Sequence, residues 1–300
     1  MSLDSKKILE IPITISSKEN ILEEVEKYLK RGQWAMGNGQ KKEDPLLIFT
    51  PNPEIIEYAQ TDPEFKNILN TAEINLPDGA GTVWAVNHSY QEKITRITGI
   101  EFMLDLCGLA RKETIRIGLI GGKGEVALRT SECLQRIYPG LKANVFEAGE
   151  IKMSNITTLP AGRQFQISKL QPGHAELVSA SSEDKSQIPN QVRDDIENII
   201  HWIEEKKIGI LFVALGFPKQ EYFIENVKYQ MSNVKSDKEK PLVLMAVGGS
   251  FDYISGRVKR APVWMRNRGL EWLYRLIKEP LRIKRQLKGA RFFWRVFRDK

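Results

Sequence analysis

Residues 208–221 read IGILFVALGFPKQE, and residues 241–250 read PLVLMAVGGS. Each opens with an unbroken apolar run that is short for a buried helix and stops at glycine. Such runs predict strands buried on both faces, as in a parallel sheet covered by helices on both sides. The same grammar recurs outward from them. Residues 46–50 (LLIFT) run into Pro51-Asn52-Pro53, and residues 72–76 (AEINL) into Pro77-Asp78-Gly79. Residues 114–120 (TIRIGLI) run into Gly121-Gly122-Lys123-Gly124, and residues 141–146 (LKANVF) form a further strand. Between the strands lie helical patterns: one opens at Glu54, one covers 125–137, and one covers 194–206 with Ile196, Ile199, Ile200 and Ile203 on one face. The predicted fold is α/β: a Rossmann-like open, mostly parallel sheet with helices on both faces.

One segment breaks the pattern. About 40 residues, 154–193, separate the strand at 141–146 from the next helix. They are rich in Ser, Gln, Pro and Gly and show little periodicity, whereas structureless loops beyond about 15 residues are uncommon inside compact domains. The segment reads as a tolerated surface insertion, with a functional lid as the alternative. Its wording, HAELVSAS followed by QVRDD, is similar to peptides translated from dispersed palindromic genomic repeats. A smaller charged insertion is read at 232–240.

Composition bounds the function classes. Hydrophobic residues at 41% and charged residues at 28% suit a globular chain. No apolar run approaches the roughly 18 residues of a membrane span. The first residues lack the apolar stretch of a signal peptide, and Cys107 and Cys133 have no metal or redox spacing, so a cytosolic chain with two packed thiols is expected. The net charge of +7 is unevenly spread: residues 256–300 hold fifteen Lys and Arg against three acids, leaving the preceding residues with a small acidic excess. The division expected is a core, 1–255, and a basic helical appendage, 256–300. In that appendage Leu273, Leu276, Ile277, Ile283, Leu287, Trp294 and Phe297 recur at helical spacing, with Pro280 able to open a new helix. Trp264, Trp272, Phe292 and Phe293 interleave with basic residues. Basic amphipathic helices with Trp and Phe lie in membrane interfaces. The alternative is a helix packed on the body with its basic face in water. Nucleic acid is not expected as a partner.

Ligands of open α/β sheets bind beyond the carboxyl ends of the strands. The residues predicted there are Thr50 and Asn52, Asp78, the loop Gly121-Gly122-Lys123-Gly124, Gln220 with Glu221, and Gly248-Gly249-Ser250 with Asp252. Asp78, flanked by glycines that permit close approach, is a candidate general base, with a helix-capping role as the alternative. The glycine loop before a helix suits a phosphate, or is a plain tight turn. No D-x-D sequence occurs to bridge a metal and a diphosphate, and His88, His174 and His201 are scattered. Any leaving diphosphate must then be met by cationic side chains. Arg275, Arg282 and Arg285, at intervals of seven and three, fall on roughly one side of the appendage, and guanidinium groups match phosphate oxygens well. A dinucleotide-dependent oxidoreductase would need a fuller glycine fingerprint, and a non-catalytic binding protein would rest on the basic tail alone.

Several motifs occur in fixed order: TPNPEIIEYAQTDPEFKNILNTAEINLPDGAGTVWA at 50–85, ITRITGIEFM at 94–103, LIGGKG at 119–124, LFVALGFPKQE at 211–221 and VGGSFDYISGRVKRAPVWMRNRGLEWLYRLIKEP at 247–280. In them the chain resembles the WecG/TagA/CpsF glycosyltransferase family over roughly 9–285, apart from the insertions. The resemblance implies inverting, metal-independent transfer, with no cofactor, of N-acetylmannosamine or its uronate from a UDP-sugar to N-acetylglucosamine on undecaprenyl diphosphate, in teichoic acid, common-antigen or capsule synthesis. It implies that Asp78 is the base acting on the acceptor 4-hydroxyl, that Thr50 and Gln220 shape the pocket, and that Arg96 lies near the reacting centre. It implies that Arg275, Arg282 and Arg285 close over the site and hold the diphosphate. The implied place is the inner face of the cytoplasmic membrane, on an anionic surface, and a homo-oligomer is compatible with it.

Overall fold

The computed structural model describes residues 3–35, 44–146, 190–233, 241–278 and 283–299. A hairpin of β1 (Ser5–Ile8) and β2 (Ile11–Thr14) precedes helix α1 (Lys18–Ala35). Then follow β3 (Leu46–Phe49), α2 (Pro53–Ala59), α3 (Pro63–Thr71), β4 (Ile74–Asn75), α4 (Ala80–Tyr90) and α5 (Gly99–Lys112). Next come β5 (Arg116–Gly121), α6 (Val126–Ile137), β6 (Lys142–Val145), α7 (Asn190–Lys206), β7 (Ile208–Ala214), α8 (Lys219–Asn233) and β8 (Val243–Ala246). Four helices close the chain: α9 (Ser250–Ile254), α10 (Val263–Asn267), α11 (Glu271–Lys278) and α12 (Ile283–Arg298). Six strands form one sheet in the order β4-β3-β8-β7-β5-β6, and every pairing in it is parallel.

Strand side chains alternate between two cores, one per sheet face. Leu47, Phe49, Leu211, Val213, Leu244 and Ala246 meet α2, α3, α4, α7, α8 and α12. Leu46, Ile48, Ile210, Phe212, Val243 and Met245 meet α1, α5, α6 and Phe251 of α9. The four isoleucines predicted to share a face of α7 are all buried in the first core. Polar caps fix where the connecting helices begin. The Asn52 side chain accepts from Ile55 N at 3.0 Å, Asp62 from Phe65 N at 3.1 Å and Thr98 from Glu101 N at 3.3 Å, each leaving fewer orphan amides in the first turn.

The covered parallel sheet is therefore as expected, with three differences in detail. The β1–β2 hairpin has no counterpart in the sequence reading. Its two-residue loop is Leu9-Glu10, both at positive φ (48° and 67°), so the Asn-Gly signal of such turns is missing. Cys107 is buried, but Cys133 is only half-buried. Helix α7 starts at Asn190, four residues before the predicted helix; of the segment 154–193, residues 154–189 lie outside the described residues. So do 234–240 of the second charged segment, and Pro280 and Arg282.

Candidate functional site

Because all six strands run the same way, the residues that follow them share one edge of the sheet. At its outer end stands the turn after β4. Asp78 is partly exposed, and its N–H donates to the Leu76 carbonyl at 2.9 Å. The Pro77 carbonyl accepts from Ile97 N at 3.2 Å, which joins this turn to the loop carrying Arg96. Asp78 is not the cap of α4: the N-cap residue is Gly79, with no side-chain capping bond. The glycine that follows serves helix packing. A Cβ on Gly81 would lie 2.6 Å from Pro53 Cγ and 2.9 Å from Phe293 Cζ. Thr82 Oγ1 donates to the Pro51 carbonyl at 3.1 Å, clamping α4 onto the Thr50-Pro51-Asn52 strand end. Thr50 is buried beneath Gly99, and Asn52 spends its side-chain oxygen on the cap of α2.

Two strands further in, Gln220 and Glu221 start α8 beside the end of β8. Gln220 Oε1 accepts from Gly248 N at 3.0 Å, and Gln220 Nε2 donates to Glu221 Oε1 at 2.9 Å. Both residues are fully buried, and Glu221 Oε2 has no hydrogen-bond partner. Burial pushes the Glu221 carboxyl up to about 7, against the opposing pull of the Gln220 amide.

At β5 stands the glycine loop, read from the sequence as suiting a phosphate or as a plain tight turn. Gly121, at φ 101°, ends the strand, and Gly122 N donates to the Ala214 carbonyl at 3.0 Å. That amide is spent on holding β5 to β7. The helix behind it is headed by Glu125, an acid, which pairs with Arg129 at 3.1 Å. What the loop does offer is a wall of an open cleft of about 330 Å³, lined by Lys123, Glu125, Val126, Arg129, Ser255, Gly256 and Arg257. Arg257 pairs with Asp252 of α9 at 3.3 Å, and α9 is headed by Gly249. The cations Arg129 and Arg257 were not singled out from the sequence, because the cleft they share joins two distant segments, 123–129 and 255–257. Strands β4 and β5, which lead to Asp78 and to the glycine loop, are four strand spacings apart, roughly 19 Å.

Arg96 enters an ion-pair cluster at the root of the appendage. Its Nη2 lies 3.9 Å from Glu271, Arg260 lies 3.6 Å from Glu271 and 3.5 Å from Glu101, and Arg266 lies 3.9 Å from Glu101. Arg260 and Arg266 also escaped the sequence reading, which counted them only in the charge of the tail. Arg275 is on α11 and Arg285 on α12, while Arg282 lies outside the described residues.

Helix α12 docks on the body. Phe292 and Val296 are buried against the first core, and Arg295 Nε donates to buried Glu57 Oε1 of α2 at 3.1 Å. Phe293 and Phe297 pack on Trp84 and His88 of α4, with ring centroids 5.0–6.3 Å apart. Of the apolar residues that recur at helical spacing, Trp294 and Phe297 are largely exposed, and the deepest contacts with the body come from Phe292 and Val296. Trp264, Trp272 and Ile277 are exposed as well. Among the described residues no helix is long and apolar enough to cross a membrane, and no three His, Cys, Asp or Glu side chains group as a metal site.

The profile of the family described as glycosyl transferase WecG/TagA/CpsF matches residues 6–174 and 166–300. The two pieces overlap within the segment set apart above as an insertion. The chain is 29% identical over 253 residues to an N-acetylglucosaminyldiphosphoundecaprenol N-acetyl-beta-D-mannosaminyltransferase of Bacillus subtilis, covering 84% of this chain and 79% of that relative. A relative of the same name from Bacillus spizizenii is 28% identical over 252 residues, with the same shares covered.

Proposed function

The chain belongs to the glycosyl transferase WecG/TagA/CpsF family, and from that premise we propose that it transfers N-acetylmannosamine or its uronate from a UDP-sugar to N-acetylglucosamine on undecaprenyl diphosphate. The transfer inverts the anomeric carbon and needs no metal. The observation that carries this reading is the gathering of Thr50, Asp78, Gln220 and Asp252 along one sheet edge, in a chain whose relatives are named as transferring N-acetyl-beta-D-mannosamine to N-acetylglucosaminyldiphosphoundecaprenol.

The chemistry follows from the ends of that edge. Asp78 takes the proton of the acceptor sugar hydroxyl as its oxygen attacks the anomeric carbon, and the bond from that carbon to the UDP oxygen breaks. Negative charge then gathers on the departing diphosphate. Arginines of the appendage, Arg275, Arg282 and Arg285, together with Arg96, absorb it in place of a metal ion. Lys123, Gly249, Asp252 and the cleft beside them receive the nucleotide end, and Thr50, Asn52 and Gln220 line the sugar end. The roughly 19 Å between β4 and β5, whose ends lead to Asp78 and the glycine loop, suits an extended nucleotide sugar rather than a lone phosphate. Exposed Trp264, Trp272, Ile277, Trp294 and Phe297, amid basic residues, support peripheral contact with an anionic membrane surface.

The test is to incubate the protein with a panel of UDP-sugars and a lipid-diphosphate-linked N-acetylglucosamine acceptor, and to weigh the products. The expected result is one added N-acetylhexosamine or its uronate, lost in Asp78→Asn while UDP affinity is kept. No sugar addition with any donor would overturn the reading, and wild-type turnover by Asp78→Asn would remove Asp78 from the mechanism.

A further inference from the structure

A side-chain amide offers two N–H donors at one end and two lone pairs at the other, and nothing in its shape tells the two ends apart. At Gln220 the surroundings do so. The Gly248 N–H meets Oε1 and the Glu221 carboxyl meets Nε2. A half-turn of the amide would set Nε2 against the Gly248 donor and Oε1 against a carboxylate oxygen. The Gly248 contact would turn from attractive to repulsive, and so would the Glu221 contact whenever its carboxyl is ionised.

Glu221 holds its place at a cost. It is 1% exposed, Oε2 has no hydrogen-bond partner, and no cation neutralises it among the described ion pairs. A buried carboxyl with one unsatisfied oxygen is less stable than a hydrocarbon side chain of the same length in the same space. Packing therefore gives no reason for a glutamate here, and besides its own backbone N–H its carboxyl meets the Gln220 amide. The contact does not depend on protonation, since a proton on Oε2 leaves Oε1 free to accept.

We propose that Glu221 is a positioning residue for the transfer: its Oε1 locks the Gln220 amide in one orientation and leaves the second Nε2 hydrogen as a donor for a sugar or phosphate oxygen at the carboxyl edge of the sheet. The catalytic consequence rests on the transferase reading above; the locked orientation does not. Glu221 acts through Gln220 and touches no reacting atom.

The experiment uses the full chain with Glu221→Leu, Glu221→Met and Glu221→Gln, and reads thermal stability, the Gln220 side-chain amide resonances by 15N NMR, and kcat and KM for the UDP-sugar. Resonances are assigned by their loss in Gln220→Leu. The apolar variants are expected to melt at or above the unsubstituted protein, while the Gln220 amide protons shift and exchange faster. Their kcat should fall by about 10- to 100-fold, as when a preorganised donor is disturbed, with KM changed by less than about threefold. Glu221→Gln keeps an acceptor oxygen at the same place and should retain kcat within about threefold. Unchanged amide signals and kcat in Glu221→Leu would overturn the proposal. So would a Glu221→Gln variant as slow as Glu221→Leu, or apolar variants that fail to fold, since the role would then be structural. If the unsubstituted protein transfers no sugar, the transferase reading falls, while the NMR arm still decides the locked orientation.

Discussion

At Gly121 the strand β5 passes so close to β7 that a Cβ would lie 2.5 Å from the Ala214 carbonyl oxygen, at a φ of 101°. Neither the backbone oxygen nor the dihedral can yield cheaply. Gly121→Ala should therefore destabilise the protein by about 2–4 kcal/mol, read as a lower urea midpoint at unchanged slope. Glu221 makes a prediction of the opposite kind. Its carboxyl is raised by burial from an ordinary value of 4.5 to about 7, so the folded chain holds a proton that the unfolded chain releases. Its stabilising share is whole below about pH 4.5 and is lost as pH rises through about 7. Glu221→Gln lacks that proton. Its stability relative to the unsubstituted protein should climb over that interval by as much as about 3 kcal/mol, and a flat difference between pH 4 and pH 8 would refute it. The identity of such residues is plain in the sequence, but their strain and burial are not. The motif Pro-Lys-Gln-Glu marks Gln220 and Glu221 as noteworthy, and only the approach of Gly248 from β8 reveals which end of the amide is which.

Helix α12 shows what periodicity leaves undecided at the scale of an element. Phe292, Phe293, Val296 and Phe297 alone would serve two adjoining faces of a helix, and the choice of the buried face is made by what stands opposite. Here α2 offers Glu57, whose second oxygen is buried without a hydrogen-bond partner, and α4 offers Trp84 and His88. The docking of α12 should thus depend on Glu57 more than on any exposed residue. Glu57→Gln weakens the pair with Arg295 and should speed amide exchange across 283–298 by about tenfold, equivalent to about 1.4 kcal/mol of local opening, while exchange in β7 and β8 stays unchanged. Equal exchange in the two proteins would show that the aromatic contacts alone hold the helix. The strands were the most legible elements, because an apolar run such as Ile208–Ala214, buried on both faces, has few other ways to escape water. The hairpin at Ser5–Thr14 was the least legible, because Leu9 and Glu10 adopt a turn that their side chains do not favour.

For the whole molecule, the uneven charge and the exposed aromatics predict how it meets a surface. Binding to vesicles of anionic lipid should weaken steeply between low and high salt and be nearly absent on neutral vesicles, as sedimentation would show. Salt-insensitive binding would assign the contact to Trp264, Trp272 and Trp294 rather than to the basic residues. Removal of residues 154–189, which precede α7, should leave the melting temperature within about 3 °C if the segment is the tolerated insertion its composition indicates, because shortening a long connection changes closure entropy only slightly. Aggregation of the shortened chain would show that the segment supports the fold.

The sequence by itself determined the class of fold and the family, because apolar runs dictate burial and ordered motifs survive as residue identities. Only the tertiary structure decided the strand order β4-β3-β8-β7-β5-β6 and with it the distance between Asp78 and the glycine loop. It alone also decided the pairing of Arg96 with Glu271, the spent amide of Gly122, and the face that α12 buries. Each of these is a contact between segments far apart along the chain, and local propensity carries no term for what a residue will find on the other side.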